Sequence, residues 1–351
     1  MRHFLGLTIA IFASLFLFYL YRDDQQNLNT SSSLKIYATN SFIGSWGPGP
    51  ELKDLFEKQT GLKVSYLEIG ETSQTLQKLA SDGVNSVGDL ILSLDQFDII
   101  RQSDKIKWVE YAGEKDYELP AAISDWKSQS AFTAYNYAPI AFIARKDFNG
   151  DLRSLNDILK PELKGKISLQ DPRTSSPGLQ LLYWIMRTRS ENEAIEFIRQ
   201  LKTQAHSFSN GWSASYGLFK EKQSDMVLSY ATSPIYHLLE EKDANFQSFE
   251  FIEGHPLQVE FAGIPESCKN CEAAKKFVNF LLTPAAQKIL MNKNYMLPVY
   301  RPTQDGTAFD TIKVFRNLTP NASHKTQKIP TKAELQNWLN LWGEISRSES
   351  Q

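Results

Sequence analysis

Two adjacent hydroxyls, Ser175 and Ser176, followed by Pro177 and Gly178, are placed in this chain to meet an anion. They close the run Gln170-Asp171-Pro172-Arg173-Thr174 and open one in which Leu179, Leu181, Leu182 and Ile185 recur on one helical face. Either serine can act as N-cap, and proline fits the first helical position, where a missing N–H costs nothing. Gly178 leaves the backbone open to close approach. Lys166–Leu169, half apolar, reads as the strand end that feeds this helix, so free N–H groups and the positive end of the dipole face outward. That arrangement suits a phosphate or carboxylate, and it equally suits an ordinary capped helix. Ser233 before Pro234 repeats the pattern.

Groupings that would do catalysis are missing. There is no Gly-x-Ser-x-Gly elbow, no His-Glu-x-x-His and no Gly-x-x-x-x-Gly-Lys loop, and His206, His237, His255 and His324 are scattered. A binding protein without a cofactor is therefore expected, not an enzyme. Gly47-Pro48-Gly49-Pro50-Glu51-Leu52 starts like a dinucleotide fingerprint but has Leu52 where the third glycine belongs. Cys268 and Cys271 are too few for a zinc site and read as a local disulfide or two free thiols. A net charge of -2 gives no footprint for nucleic acid. The aromatic content of 12%, with 7 Trp and 14 Tyr, supplies rings for a ligand site as well as for the core.

The elements that must carry these residues follow from periodicity. Strand Leu34–Thr39, helix Glu51–Gln59 stopped by Gly61, strand Lys63–Leu67, helix Ser73–Ser81 and strand Asp89–Leu94 make a βαβαβ series, hence a parallel sheet. Ile140–Arg145 is a further apolar strand. A second α/β series runs through 154–159, 166–170, 177–187, 191–203, 215–222, 225–231, 234–241 and 247–252. Two such units in 351 residues imply two lobes with a crevice between them. Strand Leu257–Ile264 leads back to the first unit, followed by helices 271–282 and 285–291, the loop 292–300, and tail helices near 309–317 and 331–344.

Phe4–Tyr21 carries no charge and is bounded by Arg2 and Arg22-Asp23-Asp24, about the length of a short membrane span. It ends in Phe18-Tyr19-Leu20-Tyr21, not in a small-x-small cleavage site, which favours a retained anchor over a cleaved signal peptide. Either way the rest is exported, behind the polar linker Gln25–Ser33.

Five motifs occur in order: Ser41–Pro50 (SFIGSWGPGP), Gln170–Leu179 (QDPRTSSPGL), Gly211–Phe219 (GWSASYGLF), Ser224–Lys242 (SDMVLSYATSPIYHLLEEK) and Glu253–Glu260 (EGHPLQVE). Together they resemble the thiamine-binding periplasmic proteins of bacterial thiamine ABC importers, over about residues 34 to 300. The resemblance implies an α/β, two-lobed type II periplasmic binding protein, a Venus-flytrap with crossover strands. It implies a first lobe at 34–138 joined by about 259–300 and a second lobe at 139–258; with the anchor or signal and linker at 1–33 ahead of them, the C-terminal helices within 301–351 are expected to pack on the lobes. By the same resemblance Ser175, Ser176, Trp212, Tyr230, Ala231, Thr232 and Ser233 line the ligand site, with Trp46 and Tyr236 as nearby aromatics. Tyr295 stands where the family commonly has Trp.

The chain departs from the family at three places. Thr39-Asn40-Ser41-Phe42 replaces Tyr-Asp-Ser-Phe, Asn136-Tyr137-Ala138 replaces Asp-Tyr-Gly, and Glu71-Thr72 falls where the family has Asp-Gly. Acids beside a cationic ligand are not neutral to change. The expected function is delivery of thiamine (vitamin B1) or its phosphates to an ABC permease and its ATPase subunits, by a monomer in the periplasm tethered to the inner membrane. A soluble periplasmic form released from a cleaved signal is the alternative localisation. Ferric iron or a small organophosphate is the alternative ligand, although Tyr236 and His237, adjacent on a helix, point to different faces.

Overall fold

Alternating apolar residues and a glycine stop give the first lobe its parallel half-sheet. A computed structural model describes residues 33–348 apart from 69, 84–86, 103–104, 115–118, 121–122, 125, 127–129, 149, 301–306 and 312–328. The expected anchor at 4–21 and all but the first turn of the helix expected at 309–317 lie outside the described residues. Among those described, no helix is long and apolar enough to cross a membrane. Strand β1 (Leu34–Ala38) pairs in parallel with β2 (Val64–Glu68) and with β3 (Leu90–Leu94). Helices α1 (Gly49–Thr60) and α2 (Thr72–Asp82) make the crossovers, and α1 ends at Gly61 with φ 72°, where only glycine is unstrained. Helix α3 (Gln96–Gln102) follows β3.

The two lobes share one long strand. β4 (Phe132–Arg145) pairs through Phe132–Pro139 with β9 (Leu257–Gly263), and from Ile140 onward with β7 (Met226–Tyr230) and β8 (Phe246–Ser248), all antiparallel. β9 continues to β3, while β7 passes to β5 (Ile167–Gln170) and then β6 (Ser207–Ser209), giving the order β2-β1-β3-β9-β4-β7-β5-β6. The chain is thus the two-lobed binding-protein fold, with β4 and the segment from β8 to β9 crossing between lobes. The strand expected over 247–252 is only Phe246–Ser248; the Phe249 N–H still donates to Phe142 O at 3.1 Å, and its ring and that of Phe251 pack in the second lobe's core.

That core lies under α4 (Ser176–Thr188) and α5 (Glu191–Gln204), against β4, β5 and β7. α6 (Trp212–Lys220) covers the other face of β7. In the first lobe α7 (Cys271–Leu281) and α8 (Pro284–Asn294) pack their phenylalanines and leucines on α1 and β1, and β10 (Leu297–Pro298) pairs with β4. Helix α9 (Lys332–Ser348) lays Leu335, Trp338, Leu339, Trp342 and Ile345 into the second-lobe core.

His255, on the crossover, is buried and neutral. The Phe251 N–H donates to its Nε2 at 2.9 Å, so Nδ1 holds the proton and donates to the Ile140 carbonyl at 2.7 Å. Burial pushes its pKa down to about 4, against the pull of that carbonyl. An unfolded histidine titrates near ~6.5, so protons favour the unfolded chain below that pH. The stability due to neutral His255 is complete above about pH 6.5 and is lost as pH falls toward 4, by about 3 kcal/mol. Urea denaturation across this window should show the loss, and His255→Gln should flatten it; an equal slope in the variant would mean other groups govern it.

Cys268 and Cys271 are bonded to each other just ahead of α7. The same loop is held by Asp89, whose carboxylate accepts from the N–H groups of Lys269 and Asn270 at 2.8 Å and from Lys35 N at 2.9 Å. Replacing both cysteines with serine should therefore cost no more than about 1 to 3 kcal/mol, the ring closed being short. Ligand affinity, measured by calorimetry, should stay within a few-fold; a large loss would place this loop in the site.

Candidate functional site

Between the lobes lies a cleft of about 430 Å³, walled by the ends of β1 and β3, the starts of α2, α4 and α6, the turn after β7, strand β9 and the end of α8. The start of α4 reaches it because residue 178 is glycine. A β-carbon there would meet Gln170 O at 2.6 Å and Asp171 C at 2.9 Å, backbone that cannot yield. Ser176 lines the cleft, and its hydroxyl is among the groups that favour ionisation of the buried Asp95 carboxyl. Burial raises the pKa of Asp95, against bonds from Asp98 N, Ser176 and Phe97 N. The N-terminus of α4 thus faces an acid of the protein itself. Ser175 is the N-cap residue but makes no capping bond; it is buried behind the wall with its Oγ unpartnered.

Aromatic rings form the opposite wall. Trp212 stacks on Tyr216 at 4.7 Å between centroids, stands 6.5 Å from Tyr230, and donates from Nε1 to Ser229 Oγ at 2.8 Å. Trp46, from the first lobe, comes within 6.3 Å of Trp212 and is 47% exposed, a ring at the mouth. Ser233 lines the cleft with its hydroxyl 2.8 Å from Ser229 Oγ. Ala231 and Thr232 are buried and do not line the cleft, since successive residues leaving a strand cannot all face one side. Tyr236 and Tyr295 meet edge to face at 5.4 Å; Lys220 Nζ donates to the Tyr236 hydroxyl at 2.9 Å, and the Tyr295 hydroxyl donates to Glu240 at 2.9 Å.

Two acids line the floor and mouth. Glu260, on β9, accepts from Asn136 Nδ2 at 3.0 Å and Asn294 Nδ2 at 2.9 Å, and burial still raises its pKa. Glu71 precedes α2, and burial pushes its pKa up to about 7. Thr72 lines the cleft beside it and donates to Ser93 O at 2.9 Å. The lining cations are engaged elsewhere: Lys220 pairs with Glu241 at 2.7 Å and Lys293 with Glu240 at 3.2 Å.

The cleft therefore gathers Trp46, Glu71, Thr72, Ser176, Trp212, Tyr230, Ser233, Tyr236 and Tyr295 from the sequence expectations. It adds Gln258 and Glu260, which sequence reasoning did not single out. Their signal was present as two polar residues at i and i+2 on the otherwise apolar Leu257–Gly263. Such a cleft can sandwich a flat, positively charged molecule. Among the described residues no group of three His, Cys, Asp or Glu is placed to hold a metal ion.

Residues 89–315 match the family model for bacterial extracellular solute-binding proteins. A thiamine-binding periplasmic protein of Salmonella typhimurium is 35% identical over 267 residues, 76% of this chain and 80% of that one. The protein of the same description from Escherichia coli is 32% identical over 313 residues, 88% of this chain and 92% of that one. Among solved structures, a periplasmic thiamin binding protein superposes with a TM-score of 0.78 at 32% identity, covering 89% of this chain and 96% of that one. A ferric binding protein from Campylobacter jejuni shares the fold at 20% identity, with a TM-score of 0.71 over 89% of this chain and 99% of that one.

Proposed function

The chain belongs to the bacterial extracellular solute-binding proteins, within the thiamine-binding periplasmic group, and from that premise we propose that its cleft takes up thiamine or a thiamine phosphate for an ABC importer. The observation that carries this reading is the approach of Trp46 and Trp212, one from each lobe, beside Tyr230 in a cleft that Glu71 and Glu260 also line. Thiamine offers a flat aminopyrimidine and a cationic thiazolium. Aromatic faces hold both, with cation–π contacts of about 0.5 to 2 kcal/mol each, and nearby carboxylates match the positive charge. A ligand that touches both lobes binds the closed form better, and that difference drives closure.

The protein then acts as a binding protein without a resident cofactor, a monomer in the periplasm that presents its closed lobes to permease and ATPase subunits. The uncharged Phe4–Tyr21 segment tethers it to the inner membrane. Ferric iron has less support, because the hydroxyls of Tyr236 and Tyr295 are engaged by Lys220 and Glu240, and His237 bonds Tyr216 and Glu241.

Calorimetry of the purified protein with thiamine, its monophosphate and its diphosphate, beside ferric citrate, tests the ligand. Saturable one-to-one binding of at least one thiamine form is expected; iron binding with none by thiamine would overturn the reading. Intact mass of the membrane fraction should find the N-terminus at Met1 or Arg2, and a soluble form starting near residue 25 would sink the tether.

A further inference from the structure

Glu71 belongs to the first lobe, yet its carboxylate lies against Gly211, the residue that caps α6 in the second. A β-carbon on Gly211 would fall 2.1 Å from Glu71 Oε1 and 2.8 Å from its carboxyl carbon. The backbone at Gly211 has φ -155°, extended geometry that any residue adopts, so the turn itself does not demand glycine. What occupies the space a side chain would take there is the carboxylate arriving from the other lobe, which would have to move aside for one.

We propose that Glu71 sets which charge state of the ligand this cleft prefers, favouring unphosphorylated thiamine over the mono- and diphosphate. The inference rests on the thiamine reading and deepens it. An anionic tail entering the cleft would seek the helix starts at Ser176 and Trp212, and these are where the protein already keeps its own acids. Ser176 acts on the buried Asp95 carboxyl, and the Glu71 carboxylate fills the space over Gly211. Glu71 shares the cleft lining with Trp46 of its own lobe, with Thr72, the first residue of α2, and with Trp212 and Ser213, which follow Gly211 on α6. The titratable groups that the Glu71 charge acts on are Asp98 and Tyr230, both of which it pushes toward their protonated forms. Lys220, at the far end of α6, is held by Glu241 and Tyr236, and among the described residues no basic side chain pairs with Glu71.

Burial pushes the pKa of the Glu71 carboxyl up to about 7, so its charge changes within the neutral range. A cation seated beside it stabilises the ionised form and expels a proton; an anionic tail requires the protonated form. Thiamine should therefore bind more tightly as pH rises from 6.5 to 8. The diphosphate should gain less or weaken, this window lying above the ~6 second ionisation of a phosphate monoester.

Calorimetry with thiamine, thiamine monophosphate and thiamine diphosphate on wild type, Glu71→Gln and Glu71→Ala tests the assignment. In both variants the affinity ratio of diphosphate to thiamine should move toward the diphosphate by at least about tenfold, a conservative expectation for one charge a few ångströms away. Wild type should release protons on binding thiamine at pH 7, seen as a binding heat that depends on the buffer, and Glu71→Gln should lose that dependence. An unchanged ratio in both variants, with wild type still binding thiamine, overturns the role of Glu71 alone. Absence of binding by wild type to all three ligands overturns the thiamine reading itself.

Discussion

Trp212→Ala is expected to weaken thiamine binding by at least about tenfold, or about 1.4 kcal/mol, from lost stacking and cation–π contact. Several features make this ring an anchor. It is fixed on one side by Tyr216 at 4.7 Å and at its edge by the bond from Nε1 to Ser229 Oγ. Its other surroundings are the cleft and Trp46, which approaches from the opposite lobe. A ring immobilised before the ligand arrives gives up little conformational freedom on binding, so the contact energy survives into the affinity. Trp212→Phe should recover most of the loss. It keeps a flat face on Tyr216 and gives up only the indole N–H, and Ser229 retains Ser233 as a partner. Because Trp212 also packs against the small core under α6, thermal unfolding must be followed in parallel. Affinity equal to wild type in a folded Trp212→Ala protein would remove Trp212 from the site.

What could be read from the sequence was what local periodicity encodes. The first βαβαβ series lies within a residue or two of its expected bounds, since Gly61 stops α1 and the strands are short and separately bounded. β4 was read only from Ile140, although it starts at Phe132. Its first half is buried on both faces and finds its pairing strand, β9, only more than a hundred residues later in the chain, so no alternation marks it. The same logic divides the site. Residues fixed by a motif and a local turn, such as Ser176, Trp212 and Ser233, reach the cleft, whereas Ser175, Ala231 and Thr232 in the same motifs turn inward. Glu260 became visible only when β9 returned to the first lobe and set it against Asn136 and Asn294. Asn136 is one of the positions where an acid of the family is absent, and here it serves as a donor to Glu260. A carboxylate at 136 would instead face a buried carboxylate.

The largest loss of stability is expected from a residue remote from the ligand: Trp342→Ala should cost about 3 to 5 kcal/mol, the usual range for removing a buried tryptophan. Trp342 is 2% exposed, meets Phe208 edge to face at 5.2 Å, and carries Lys202 Nζ 3.9 Å above its ring. Trp338, one turn earlier, takes the Arg187 guanidinium at 5.0 Å, and Arg187 in turn pairs with Glu334 at 3.2 Å. The face of α9 that these residues occupy belongs to the same core as Phe97 of α3, which follows the first-lobe strand β3. Helix α9 therefore covers apolar surface that α5 and α3 would otherwise leave to water, and the truncated ring leaves a cavity between elements that cannot close independently. If α9 is part of the cooperative unit, the melting temperature of Trp342→Ala falls by several degrees and hydrogen exchange rises throughout the second lobe. If α9 is only an appendage, exchange rises in 332–348 alone and the melting temperature holds; that outcome would remove α9 from the core assigned to it here.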